Sequence, residues 1–122
     1  MEPKMTDILI NNAYGSDDVA KASIPFIVGC ASADRPGKTA MFLTHASIFL
    51  VTDGGTDGMQ AEGMPPLEKL VQAFIEKGGL VWVCKACADA KGMSGDDLID
   101  GAVIAGAGNI LNLVENGGQV LM

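Results

Sequence analysis

The chain has 122 residues, a formal net charge of -7, 48% hydrophobic residues and only 5% aromatic ones. That length suits a single domain over residues 1–122 and leaves no room for two cores, and the acidic balance argues against nucleic acid and anionic membrane surfaces as partners. The eight basic residues are scattered, no apolar run nears the ~20 residues that span a bilayer, and no leader-like segment opens the chain, so a soluble, cytoplasmic protein is expected.

Ile8-Leu9-Ile10 is a short apolar run that suits a first strand buried on both faces, closed by Asn11-Asn12 and Gly15. Ser16 reads as the N-cap of a helix over residues 17–31, with Asp17 and Asp18 in its first turn and Val19, Ala22, Phe26 and Cys30 at helical spacing. Pro25 removes one backbone hydrogen bond inside that helix, and a kink is expected there. Arg35-Pro36-Gly37 reads as a turn before a second strand within residues 38–44, centred on Ala40-Met41-Phe42-Leu43. Residues 45–51 are apolar enough for a short helix, and residues 52–66, rich in Gly, Asp and Pro, read as a long mobile loop.

Leu67, Leu70, Val71, Phe74 and Ile75 form an amphipathic stripe between Pro65-Pro66 and Gly78-Gly79, which predicts a helix. Leu80-Val81-Trp82-Val83 is a third strand with Cys84 at its carboxyl end, and residues 86–91 give one or two helical turns closed by Gly92. Ala102-Val103-Ile104 makes a fourth strand, residues 109–115 a last helix, and residues 119–121 a closing strand. Strands alternating with helices favour a mostly parallel sheet of about five strands, covered by helices on both faces.

In such sheets functional groups collect beyond the carboxyl ends of the strands. Three of these ends carry chemistry-bearing residues: Asn12 and Tyr14 after the first strand, Thr44 and His45 after the second, and Cys84-Lys85-Ala86-Cys87 after the third. A cysteine where a strand meets a helix lies beside unpaired backbone N–H groups that favour the thiolate. Cys84 is therefore the candidate nucleophile, with Lys85 adding positive charge and Cys87, one helical turn on, able to resolve a persulfide or close a disulfide. The bland alternative is a buried, inert cysteine pair. Asn12, Tyr14, Thr44, His45 and Lys85 are candidate substrate-binding residues. His45 reads either as a general base or charge partner for a thiolate, if the second and third strands are neighbours, or as a helix cap.

Several signals favour ordinary structure over chemistry. Cys30 lies on an apolar helix face and reads as core. Structural zinc needs four ligands, and one cysteine pair with His45 and a distant Cys30 does not supply them, so no metal or cofactor is expected. A thioredoxin reading fits less well, because the cysteine pair follows the third strand. Gly101, Gly106 and Gly108 fall short of a nucleotide-binding turn, since Leu111 stands at its third glycine place, and read better as small residues that let a helix approach the sheet. The glycines of residues 54–58 read as a lid over the crevice or as a plain connection.

The stretch MPPLEKLVQAFIEKGGLVWVCKACADAKG, residues 64–92, resembles the DsrE/DsrF-like (DsrEFH/YchN-like) sulfur-relay family. There an apolar strand ends in a cysteine that precedes a short helix and a basic-Gly pair; Cys84 and Lys91-Gly92 match these places. Ile8-Leu9-Ile10, Ile24-Pro25-Phe26 and Phe42-Leu43-Thr44 look like the first half of the family, and Asp96-Asp97-Leu98-Ile99 with residues 101–106 look like its second half. The resemblance implies a three-layer α/β/α fold, homotrimers or homohexamers, and a sulfur carrier or sulfurtransferase that holds sulfane sulfur as a persulfide on Cys84, with sulfur-donor and sulfur-acceptor proteins or small sulfane-sulfur compounds as partners. Cys87 is not needed by single-cysteine carriers, and the His45 segment departs from the usual Gly-Asp-containing loop. Two further readings stand beside the carrier: a non-catalytic oligomeric module that binds a small ligand or a protein tail, and a thiol-disulfide reductase.

Overall fold

A computed structural model describes residues 7–35 and 38–122; Pro36 and Gly37, in the expected turn, lie outside them. In chain order the described residues form β1 (Ile8–Asn12), α1 (Val19–Ala33), β2 (Thr39–Leu43), a 3-10 helix (His45–Val51), α2 (Leu67–Glu76), β3 (Leu80–Cys84), α3 (Lys85–Ala90), a 3-10 turn (Gly95–Asp97), β4 (Ala102–Ala105), α4 (Ala107–Glu115) and β5 (Gln119–Leu121). The sheet order is β4-β3-β2-β1-β5 and all its pairings are parallel.

A parallel sheet must be covered on both faces, because its crossover helices lie there. Alternation along the strands sends Ile10, Met41, Leu43, Val81 and Val83 to one face, against Phe26 of α1 and Leu67, Val71 and Phe74 of α2. Leu9, Ala40, Trp82 and Ala105 point the other way, against Leu113 and Ile110 of α4. The result is a three-layer α/β/α sandwich. Its second face is covered by α4 without a companion helix, so Phe42, Leu80 and Val103 stay only partly buried there.

Several local expectations are revised. Helix α1 starts two residues late: Asp17 Oδ1 accepts the Gly15 N–H at 2.8 Å, which holds the turn, and Asp18 rather than Ser16 caps the helix by accepting the Lys21 N–H at 3.0 Å. The helix then runs as one element across Pro25 to Ala33. Gly29 lets it pack closely, since a Cβ there would stand 2.9 Å from Met41 Cε and 3.0 Å from the Phe74 ring. Residues 52–66 carry hydrogen-bonded turns, with Met59 packed on the core and its carbonyl accepting the Leu67 N–H at 2.9 Å.

The glycines near α4 also differ from expectation. Gly101 occupies the left-handed region (φ 96°) beside Ile75, but a Cβ on Gly106 or Gly108 would meet nothing within 4 Å. Close helix-to-sheet packing therefore does not require glycine at those two positions.

Candidate functional site

Because β1, β2 and β3 are parallel neighbours, the three segments singled out in the sequence leave the sheet at the same edge. Cys84 ends β3 and is the N-cap residue of α3, which makes Lys85, Ala86 and Cys87 the first three helical positions. N-cap and third-position side chains face each other across the first turn, as in a capping box. Cys84 accordingly stands close enough to Cys87 to bear on its ionisation, and both residues are half-buried.

Cys87 has a second partner. The His45 backbone N–H donates to Cys87 Sγ at 3.4 Å, an approach made from a left-handed His45 (φ 53°) directly after β2. That N–H pulls the Cys87 thiol down, but burial and the neighbouring Cys84 side chain together push it above its ordinary value. Cys87 therefore holds its proton at neutral pH.

Cys84 opens on a crevice of about 610 Å³ between α3 and α4, lined by Phe42, Ala86, Ala107, Ile110 and Leu111 among others. Lys85 and Asp89 stand at its margin, where Lys85 Nζ pairs with Asp89 Oδ2 at 2.7 Å, both side chains exposed. The lysine charge expected to serve the sulfur is thus largely met by a carboxylate one turn away.

The remaining candidates lie elsewhere. Asn12 is 2% exposed, donates from Nδ2 to the Ala22 carbonyl at 3.0 Å and accepts the Tyr14 N–H at 3.0 Å, so its side chain ties the β1–α1 connection to the helix. Tyr14 has Lys21 Nζ 5.1 Å from its ring centroid and lines a separate cavity of about 410 Å³ with Ile24, Pro25 and Met122. Thr44 donates its N–H to the Asn12 carbonyl at 3.1 Å and is the N-cap residue of the 3-10 helix, so His45 is its first helical residue and not its cap. The His45 contact with the cysteine pair runs through its main chain, and the residue is exposed.

Cys30 belongs to the packing of α1 on α2, with its Sγ donating to the Leu70 carbonyl at 3.6 Å; burial raises its pKa, Lys77 lowers it and Asp34 raises it. Among the described residues no group of three His, Cys, Asp or Glu side chains is arranged to hold a metal ion, and no helix is long and apolar enough to cross a membrane. The loop of residues 52–66 contributes nothing to the Cys84 crevice; its Thr52, Asp53 and Asp57 line a different cavity against α2, so it is no lid there.

Sequence reasoning missed the crevice walls and Ser47. The buried Ser47 hydroxyl donates to the carbonyls of Asn12 and Thr44 and so joins two strand ends. No local periodicity announces that bond. The Lys85–Asp89 pair did have a signal, its spacing of four residues on a helix.

Comparison with known proteins gives a consistent family and fold. The model of the DsrE/DsrF-like family matches residues 5–122. An uncharacterized protein of Methanocaldococcus jannaschii is 28% identical over 89% of this chain and 40% of its own length, and an uncharacterized protein of Methanopyrus kandleri is 32% identical over 63% of this chain and 66% of its own. The match thus spans under half of the first relative and about two thirds of the second. Among solved structures, the ychN protein from E. coli superimposes with a TM-score of 0.72 at 18% identity, covering 96% of this chain and 98% of that one. A protein of unknown function from Methanobacterium thermoautotrophicum gives 0.66 at 19% identity, covering 93% and 94%. These two likenesses show the α/β fold.

Proposed function

The chain belongs to the DsrE/DsrF-like family, and from that premise we propose that it is a cytoplasmic sulfur carrier that accepts sulfane sulfur on Cys84 and passes it on. The Cys84 thiolate attacks the outer sulfur of a donor persulfide; a new S–S bond forms on Cys84 Sγ, the donor S–S bond breaks, and the donor leaves as a thiolate. An acceptor thiolate then attacks the outer sulfur and returns Cys84 to its starting state. No net oxidant is consumed.

One observation carries this reading: Cys84 stands at the end of β3 on the wall of an open crevice, with Cys87 one helical turn on in α3. Cys87 supplies an exit. Once deprotonated it can attack Cys84 Sγ, which breaks the persulfide bond, releases hydrosulfide and leaves a Cys84–Cys87 disulfide for an external dithiol to reduce. That same pair is what favours a second reading, thiol-disulfide reductase, which predicts reduction of insulin-type disulfides without any sulfur donor.

Mass spectrometry of protein treated with inorganic polysulfide is the test. We expect a gain of about one sulfur, ~32 Da, absent in Cys84→Ala and longer-lived in Cys87→Ser. Absence of the adduct from the unsubstituted protein with inorganic polysulfide and with organic hydropersulfides alike rejects the carrier in favour of a module that binds without chemistry.

A further inference from the structure

The crevice beside Cys84 has a chemical character that the carrier reading leaves open. Its walls are apolar: Phe42 at the end of β2, Ala86 in α3, and Ala107, Ile110 and Leu111 in the first two turns of α4. The charged pair on its margin, Lys85 with Asp89, is mutually neutralised. No basic side chain lining the crevice is left over to meet an anionic donor, and the chain as a whole carries a net charge of -7. Anions such as thiosulfate are repelled by such a surface and gain nothing at the site.

One residue that lines the crevice, Gly106, lacks a side chain. Gly106, the N-cap residue of α4, has an extended backbone (φ -107°, ψ 178°) that any residue adopts, and a Cβ there would touch nothing. Neither backbone conformation nor packing therefore calls for glycine at this position. Gly106 lines the same crevice as Cys84, and a side chain there meets no neighbour at its Cβ.

Resting on the carrier reading, we infer that the donor presents its sulfane sulfur on an uncharged apolar organic group, as in an alkyl or aryl hydropersulfide, which docks between α3 and α4. Cys84 thiolate takes the terminal sulfur of R–S–SH, and R–S⁻ leaves from the apolar pocket. The step conserves atoms and electrons without a further reactant.

Three donors generated in solution separate the possibilities: benzyl hydropersulfide, glutathione hydropersulfide and inorganic hydrodisulfide. The first two share the reacting bond and differ in the group that carries it. Persulfidation of Cys84 should be about tenfold or more faster with the benzyl donor than with the glutathione donor, the scale set by burying an aromatic group. In Gly106→Leu, which adds a bulky side chain at a crevice-lining position, that preference should collapse; in Leu111→Lys, at a position 60% exposed, the glutathione donor should gain on the benzyl donor. Retained circular dichroism and melting temperature identify folded variants. Equal benzyl and glutathione rates, or a benzyl preference untouched in both folded variants, overturn the inference and leave the carrier intact. No adduct from any of the three donors rejects the carrier itself.

Discussion

Cys84 and Cys87 differ in role because they differ in position by three residues on one helical turn. Cys84 faces the crevice, while Cys87 is turned toward the His45 N–H and holds its proton. Raised thiol values have a consequence for stability. Cys30 and Cys87 both bind their protons more tightly in the folded chain than an ordinary thiol does. Their stabilising contribution is complete below the unfolded thiol range and is lost as pH rises through the folded values. The melting temperature should therefore fall above roughly pH 9, and the fall should be shallower in Cys30→Ala; an equal slope in both proteins would remove Cys30 from the account. Asn12 and Tyr14 were legible as polar groups at a strand end, but not as parts of a hydrogen-bonded connection and a second cavity.

At the level of elements, α2 shows what periodicity alone can reveal. Leu67, Leu70, Val71 and Phe74 fall on one face, and all four are buried. Phe74 also meets Phe26 of α1 edge to face, with ring centroids 5.9 Å apart and planes at 79°. Truncating Phe74 to Ala removes that contact and the packing against Gly29 and Gly79, so the loss should be about 3–5 kcal/mol. Chemical denaturation measures it, and a loss below about 1 kcal/mol would mean that the α1–α2 seam repacks freely. The boundaries of α1 were less legible than its existence, because Ser16, Asp17 and Asp18 are all competent caps and only the turn at Gly15 selects among them. Residues 95–97 form a 3-10 turn that no hydrophobic period announces.

For the whole molecule, the parallel order β4-β3-β2-β1-β5 leaves β5 as a three-residue edge strand, exposed along its length. Val120, Leu121 and Met122 there, with Val114 on α4, are large apolar residues open to solvent. A contiguous exposed apolar edge is a surface on which chains can associate. Sedimentation should therefore report three or six chains of 12.6 kDa, the assemblies that the family resemblance implies, and Val120→Lys with Val114→Lys should weaken them. A single-chain mass at micromolar concentration would refute this assembly.

Taken alone, the sequence determined the alternation of strands and helices, the strand-end position of Cys84 and its spacing from Cys87, since all three are properties of neighbouring residues and local conformation follows from local pattern. Only the tertiary structure decided that Cys87 is held by the His45 backbone and that Phe42, Ala107, Ile110 and Leu111 wall the crevice. Both depend on which strands lie side by side and where α4 crosses the sheet. Those choices are made by the burial of distant apolar faces against each other, a quantity that no short stretch of chain carries by itself.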